Sequence, residues 1–443
     1  MTTEKATNAN REHPVDGIGE TYSVFTTIEK WCIVALASYA AWMSTLSSFI
    51  YFPAIPTLSR ALGVSVHKID LTVTTYMAVA TIAPMLVGDA AEKLGRRPVY
   101  AVILAIYFVA NLAIALTETY QALLALRALQ ALAISGTFSI AYGVVVDVAT
   151  PAERGSFAAL VSFAVTTAPS IGPVLGGSLT SAAGWPWIFW FLCIISGSCL
   201  AAMLFLLPET SRNIVGNGSI RPLNYLWIPS PLVMRHWEVE ETSPTHAWRV
   251  PNPFQSLMIL RRKDNAIIIV ACGLLYAVYT CINASLSTLF VNVYHLNQLE
   301  AGLIYLPFGI GGALSTFVSG RLLNRAWRAA RTRRNLPTDK VAGDDLDSFP
   351  VEKARLQVIW MPMFVTAGSI ITYGWVLHYR KPIAISLSLQ FVAGFCMQLD
   401  FSVYNTLLVD KNSKEPVVAQ ASSNIVRCSL AALAVSFVQR IID

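Results

Sequence analysis

Eleven apolar runs of roughly 20 residues or more follow one another along this chain, a length that crosses a bilayer as an α-helix. They fall at about 31–52, 69–88, 98–117, 120–146, 155–180, 186–207, 264–289, 300–320, 357–378, 382–409 and 417–441. A helix satisfies its own backbone hydrogen bonds where no water can reach, so the runs predict an all-α membrane protein. Composition leaves no soluble alternative. Only 13% of residues are charged and 55% are hydrophobic, whereas about a quarter of a soluble domain is charged.

Two long polar insertions, at about 208–263 and 321–356, divide the runs. The expected organisation is a disordered tail over 1–28, a six-helix bundle over 29–207, a linker over 208–263, and a five-span bundle over 264–443 that carries the 321–356 loop. The tail is polar and lacks the apolar core of a signal peptide. With the N-terminus inside, only Arg60, Lys68, Arg380 and Lys381 fall in outer connections, and the other loop arginines and lysines lie inside. Positive residues stay cytosolic, so a cytosolic N-terminus is predicted. The seven cysteines lie in apolar runs and form no CxxC, which indicates neither a disulfide framework nor a zinc site.

An internal repeat relates the halves. Gly88 is followed four residues on by Glu92-Lys93, and Gly320 four residues on by Asn324-Arg325, each pair closing the second span of its half. Two parallel repeats joined by a polar linker is a transporter layout. The stretch from Gly88 through Glu92, Gly95, Arg96 and Arg97 to Pro98 is an acidic-then-basic turn between apolar runs. Glu92 with Arg96 and Arg97, joined by Asp147 and Arg154, can form a charge network that is broken and remade between two access states. Gly172-Pro173 and Gly176-Gly177 strip bulk and one backbone donor from the fifth span, which permits close helix approach and a bend.

From about residue 30 onward the chain resembles the major facilitator superfamily, and within it the fungal drug:proton antiporters of the twelve-span type. The resemblance rests on Tyr51-Phe52-Pro53-Ala54-Ile55-Pro56, on Gly88 to Pro98, on Arg127-Ala128-Leu129-Gln130-Ala131, and on Ala168, Gly172, Pro173, Gly176 and Gly177. Leu207-Pro208-Glu209-Thr210-Ser211-Arg212 and the Asp344 to Arg355 segment add to it. It implies two bundles around a central cavity lined by spans one, four, seven and ten, a monomer, and a plasma-membrane location. It also implies that the Gly172–Gly177 face seals the two halves together. Glu92 and Lys93 stand where the family usually has Asp and Arg. The family expects a twelfth span, and none is visible after Ile442, which raises a truncated, non-transporting protein or a sensor as the alternative.

Charge inside a membrane is costly and usually functional. Arg127 in span four, Asp400 in span ten and Arg427 in span eleven are the candidates. By the resemblance, Arg127 and Asp400 face the path. Arg127 is expected to contact substrate or a coupling carboxylate, Asp400 to carry the proton, and Arg427 to fasten helices. Gln130, Tyr276 and Asn283, with Tyr142, Gln398 and Asn405 among others, give an aromatic, hydrogen-bonding lining suited to a small organic molecule.

Enzyme readings find no support. The six histidines lie in tails, loops or span ends, and neither a nucleophile elbow nor a phosphate-binding loop is present. No metal or cofactor is expected, and the basic residues form no soluble face for nucleic acid. The predicted function is export of a drug, secondary metabolite or organic acid in exchange for protons.

Overall fold

The computed structural model describes residues 21–220, 254–294, 303–336 and 349–442. The N-terminal half contains α1 (Thr27–Phe49), a 3-10 turn (Phe52–Ala54), α2 (Ile55–Ala61), α3 (Val66–Leu94), α4 (Arg96–Ala115), α5 (Tyr120–Ile134), α6 (Thr137–Val148), α7 (Arg154–Ala183) and α8 (Pro186–Leu206). Two short helices, α9 (Arg212–Val215) and α10 (Gln255–Ile259), lead into the second half. That half contains α11 (Lys263–Tyr294), α12 (Leu306–Thr332), α13 (Val351–Leu356), α14 (Trp360–His378), α15 (Ile383–Lys411) and α16 (Pro416–Ile442).

Ten helical stretches among the described residues are long and apolar enough to cross a membrane. α12 takes the place of the eighth expected run but reaches Thr332, well beyond 320. Its last turns carry Arg321, Arg325, Arg328 and Arg331. Arginine is a good helix former, so the helix continues where the apolar run stops. The expected 321–356 loop is therefore partly helical at both ends, and its middle lies outside the described residues, as does most of the 208–263 linker. Residues 1–20 of the expected tail also lie outside them, but residues 21–26 are packed: Phe25 is buried and Tyr22 Oη donates to the Val146 carbonyl at 2.8 Å.

Local chemistry sets the ends of these helices. Thr26 opens α1 with a capping box: the Glu29 N–H donates to Thr26 Oγ1 at 3.4 Å, and the Thr26 N–H donates to Glu29 Oε2 at 2.8 Å. Gly95 alone separates α3 from α4, at a φ of 102°. That left-handed value favours glycine, and a Cβ there would meet Glu209 Oε2 at 2.5 Å. The fourth expected span is two helices, since α5 ends at Ile134 and α6 starts at Thr137.

The halves meet along two equivalent helix pairs, α3 with α16 and α12 with α7. A Cβ on Gly88 of α3 would lie 3.3 Å from Ala421 Cβ, and one on Gly320 of α12 would lie 2.8 Å from Ser156 Cα. Between helices in lipid there is little hydrophobic drive, so close backbone approach of this kind is what holds them. The repeated Gly88/Gly320 thus occupies matching positions in the two joints.

Candidate functional site

The end of the bundle that carries residue 21, α9 and α10 is the tail-side end. There Arg96, at the start of α4, is fully buried. Its Nη2 donates to Glu92 Oε2 at 2.8 Å and its Nε to Asp147 Oδ2 at 3.1 Å. Glu92 Oε1 in turn accepts the Val417 N–H of α16 at 3.1 Å. An acid at a helix N-terminus meets both free N–H groups and the positive end of the helix dipole. One carboxylate therefore links an arginine of its own half to a helix end of the other.

Glu209 organises the same turn from beneath. It accepts the N–H groups of Arg96 at 2.9 Å, Arg97 at 3.1 Å, Thr210 at 3.0 Å and Ser211 at 2.8 Å. Burial pushes the Glu209 carboxyl above its ordinary value, and these backbone donors offset part of the rise. Arg97 donates to the Leu204 carbonyl. Glu209 lies in the Leu207–Arg212 motif, but the residue order alone gives it no role. Nothing local marks that role, because the turn it organises, at Arg96 and Arg97, lies more than a hundred residues upstream.

The second joint repeats the first. Arg355 Nε donates to Asp410 Oδ2 at 2.8 Å, as Arg96 Nε does to Asp147 Oδ2. Asp410 closes α15 as Asp147 closes α6. Arg154 of the N-terminal half also donates to Asp410, and Arg355 Nη2 reaches back to the Pro151 carbonyl at 2.8 Å. Arg154 was expected beside Glu92 and Asp147. Instead it crosses to the other half, because the start of α7 packs on α12 and α15. Asp410 and Arg355 were missed as site residues; the position of Asp410 at the end of its span, matching Asp147, was the available signal.

The glycine face also differs from expectation. Gly172 packs on Phe49 and Ile50, Gly176 on the Ile50 carbonyl and Gly177 on Pro53. All of these belong to the N-terminal half, so the face binds α7 to the end of α1 and does not seal the halves. Beyond Arg154, the contacts of α7 with the other half include Ser156, Thr166 and Ser170, against Gly320, Gly312 and Gly309. α7 presents one face to α12 and α15 and another to the end of α1, and Gly172–Gly177 lies on the latter. Pro173 lies inside α7 beside them.

Within the membrane, Arg127 is enclosed in the N-terminal half, 4.3 Å from the centre of the Tyr51 ring and 4.2 Å from that of Tyr76. Its Nη1 donates to Gln130 Oε1 at 2.6 Å, and Gln130 Nε2 donates to Asn111 Oδ1 at 2.6 Å. Asp400 is buried on α15, and neither of its oxygens finds a hydrogen-bond partner among the described residues. Arg127 and Asp400 thus form no contact with each other. Asn283 donates to the Tyr279 carbonyl at 2.8 Å, and Tyr276 packs against Tyr279 and Phe401. Arg427, expected only to fasten helices, lies between the halves, 4.7 Å from the ring centres of Phe138 and Tyr276.

The family model of the Major Facilitator Superfamily matches residues 37–435. The chain belongs to this superfamily. It is 34% identical over 95% of its length to the MFS-type transporter phiD of Fungal sp. (strain ATCC 74256), and spans 65% of that relative. It is 31% identical to the multidrug transporter QDR2 of Candida glabrata, covering 96% of this chain and 78% of that one. To the citrate exporter 1 of Aspergillus niger it is 33% identical, covering 95% and 82%. The crystal structure of the human organic anion transporter MFSD10 shares the fold, with a TM-score of 0.62 at 14% identity over 92% of this chain and 94% of that one. This major facilitator chain is a multi-pass membrane transporter and not an enzyme.

Proposed function

We propose that this transporter exports a small organic molecule, a drug, secondary metabolite or organic acid, from the cytosol in exchange for inward-moving protons. The N-terminus and the tail-side charge clusters lie in the cytosol, and the plasma membrane is its location. The observation that carries the reading is Asp400, a carboxyl group buried at membrane depth with no partner for either oxygen among the described residues. An unpaired carboxylate there is costly, and a proton removes the charge. Loading and releasing that proton, while the joints at Glu92–Val417 and Arg154–Asp410 open and close, couples proton movement to alternating access. A multidrug transporter and a citrate exporter among the relatives support export of organic molecules.

The test compares metabolites in the medium of cells with and without the gene, with and without a proton uncoupler. Loss of a compound from the medium, its retention in the cells and sensitivity to the uncoupler are expected. Asp400→Asn should abolish the uncoupler-sensitive part. An unchanged medium under all growth conditions would sink the reading and favour a non-transporting protein.

A further inference from the structure

Three joint arginines, Arg96, Arg154 and Arg355, each hold a carboxylate. The intramembrane arginines differ. Neither Arg127 nor Arg427 forms an ion pair among the described residues, but their settings are unlike. Arg127 is sealed, 1% exposed, behind Tyr51, Tyr76 and Gln130 of its own half. Arg427 keeps part of its surface accessible and stands where the halves meet, between Phe138 of α6 and Tyr276 of α11. It lies eleven residues into α16, roughly 16 Å along the helix axis, near mid-membrane.

Its hydrogen bonding is incomplete. Nη2 donates to Asn424 Oδ1 at 2.6 Å, and Nε finds no acceptor among the described residues. Tyr142 faces both Arg427 and Asn405, and it shares a 2.6 Å hydrogen bond with Ser162. Asn405 Oδ1 is likewise buried without a partner. A cation flanked by two aromatic rings at this depth is stabilised in part by the ring faces. The planar guanidinium still presents N–H groups in a fork that matches a carboxylate. With no acid paired to it among the described residues, the field at this point attracts anions and repels cations.

The geometry points to Arg427 as the substrate-recognition residue, holding the carboxylate of an organic anion whose aromatic or apolar body packs alongside Phe138 and Tyr276, on the part of Arg427 that is left accessible. This rests on the transport reading above and narrows its substrate to organic acids. Neutral drugs lack the anion, and cationic drugs meet the wrong sign of charge. Arg127, enclosed within one half, is then a packing residue of the N-terminal bundle with respect to substrate.

The test is thermal stabilisation of the purified full-length chain by benzoate and 3-phenylpropanoate, each against its amide. The carboxylates are expected to raise the melting temperature and the amides to leave it unchanged. Arg427→Gln should weaken carboxylate binding about tenfold or more, as expected for loss of a charge-assisted contact. If Arg427→Gln does not fold, Arg427→Lys serves instead: it keeps the charge but loses the fork, and should weaken the carboxylates while the amides stay inert. Equal stabilisation by the amides, no stabilisation by either carboxylate, or carboxylate binding unaffected by both variants would overturn the assignment. Uncoupler-sensitive export with binding indifferent to Arg427 sinks this inference alone. Carboxylate binding that depends on Arg427, in a chain that exports nothing, sinks proton antiport alone.

Discussion

Arg154 of the N-terminal half and Asp410 of the C-terminal half form a fully buried ion pair, 256 residues apart in sequence. Arg355 completes it by taking the other Asp410 oxygen at 2.8 Å. Removing one member of a buried pair strands the other, which costs about 3–5 kcal/mol. Asp410→Ala strands two cations at once. It is expected to lower the melting temperature of the purified chain sharply and to expose a cysteine introduced at Ser156 to thiol reagents added from the tail side. An unchanged melting temperature with unchanged labelling would show that the joint holds without this cluster.

The neighbouring surface cluster provides the contrast. Lys411 bonds Glu352 and, at 3.2 Å, Asp264, whose side chains are 45% and 75% exposed. The hydrogen bond from Lys411 holds the Glu352 carboxyl below its ordinary value. A depressed folded value means stability that is present above the unfolded value of 4.5 and is lost as pH falls through the folded value. Solvent screening keeps such exposed pairs below about 1 kcal/mol. Glu352→Gln should therefore leave the melting temperature at pH 7 almost unchanged and flatten slightly the acid side of the pH–stability curve below 4.5. A loss at pH 7 as large as that of Asp410→Ala would refute the ranking.

The two adjacent glycines of α7 should respond differently. A side chain on Gly176 meets the Ile50 carbonyl oxygen, whereas the nearest atom to a Cβ on Gly177 is Pro53 Cβ at 3.8 Å. Gly176→Ala is expected to cost about 1–3 kcal/mol by overpacking. Gly177→Ala should be neutral or slightly stabilising, because alanine is the better helix former. Melting temperatures of the two variants side by side decide it, and equal losses would show that the contact with the Ile50 carbonyl does not set the cost.

Glu92→Gln tests the first joint. The glutamine keeps an oxygen for the Val417 N–H but gives up the charge shared with Arg96 and the α16 dipole. Transport should slow while the folded yield remains near wild type. Glu92→Ala, which loses both, should slow it further. Equal rates for all three chains would leave Glu92 without a part in access switching.

Much of the fold was legible in the residue order, and the reasons are local. Apolar runs of membrane length mark the helices, because lipid leaves a backbone no other way to bond. The Gly88/Gly320 repeat marked two equivalent halves; that both glycines sit where the halves touch came from the packing. α12 was the exception: its arginine-rich end reads as a loop by hydropathy and as a helix by propensity, and propensity prevailed.

Beyond the Glu92–Arg96–Asp147 cluster, which charge meets which was not legible. Glu209 reaches Arg96 across 113 residues and Arg355 reaches the Pro151 carbonyl across 204, and no spacing rule spans such gaps. The residue order by itself determined a helical membrane transporter with two repeated halves, most of its turns, and part of its buried charge, Arg127 and Asp400 among it. Tertiary structure alone decided that Arg154 belongs to Asp410, that the Gly172–Gly177 face packs on the end of α1, and that Arg427 stands between the halves while Arg127 is sealed within one. The reason is physical. A buried charge is stabilised by whatever group the packing brings within about 3 Å, and packing is a property of the whole bundle.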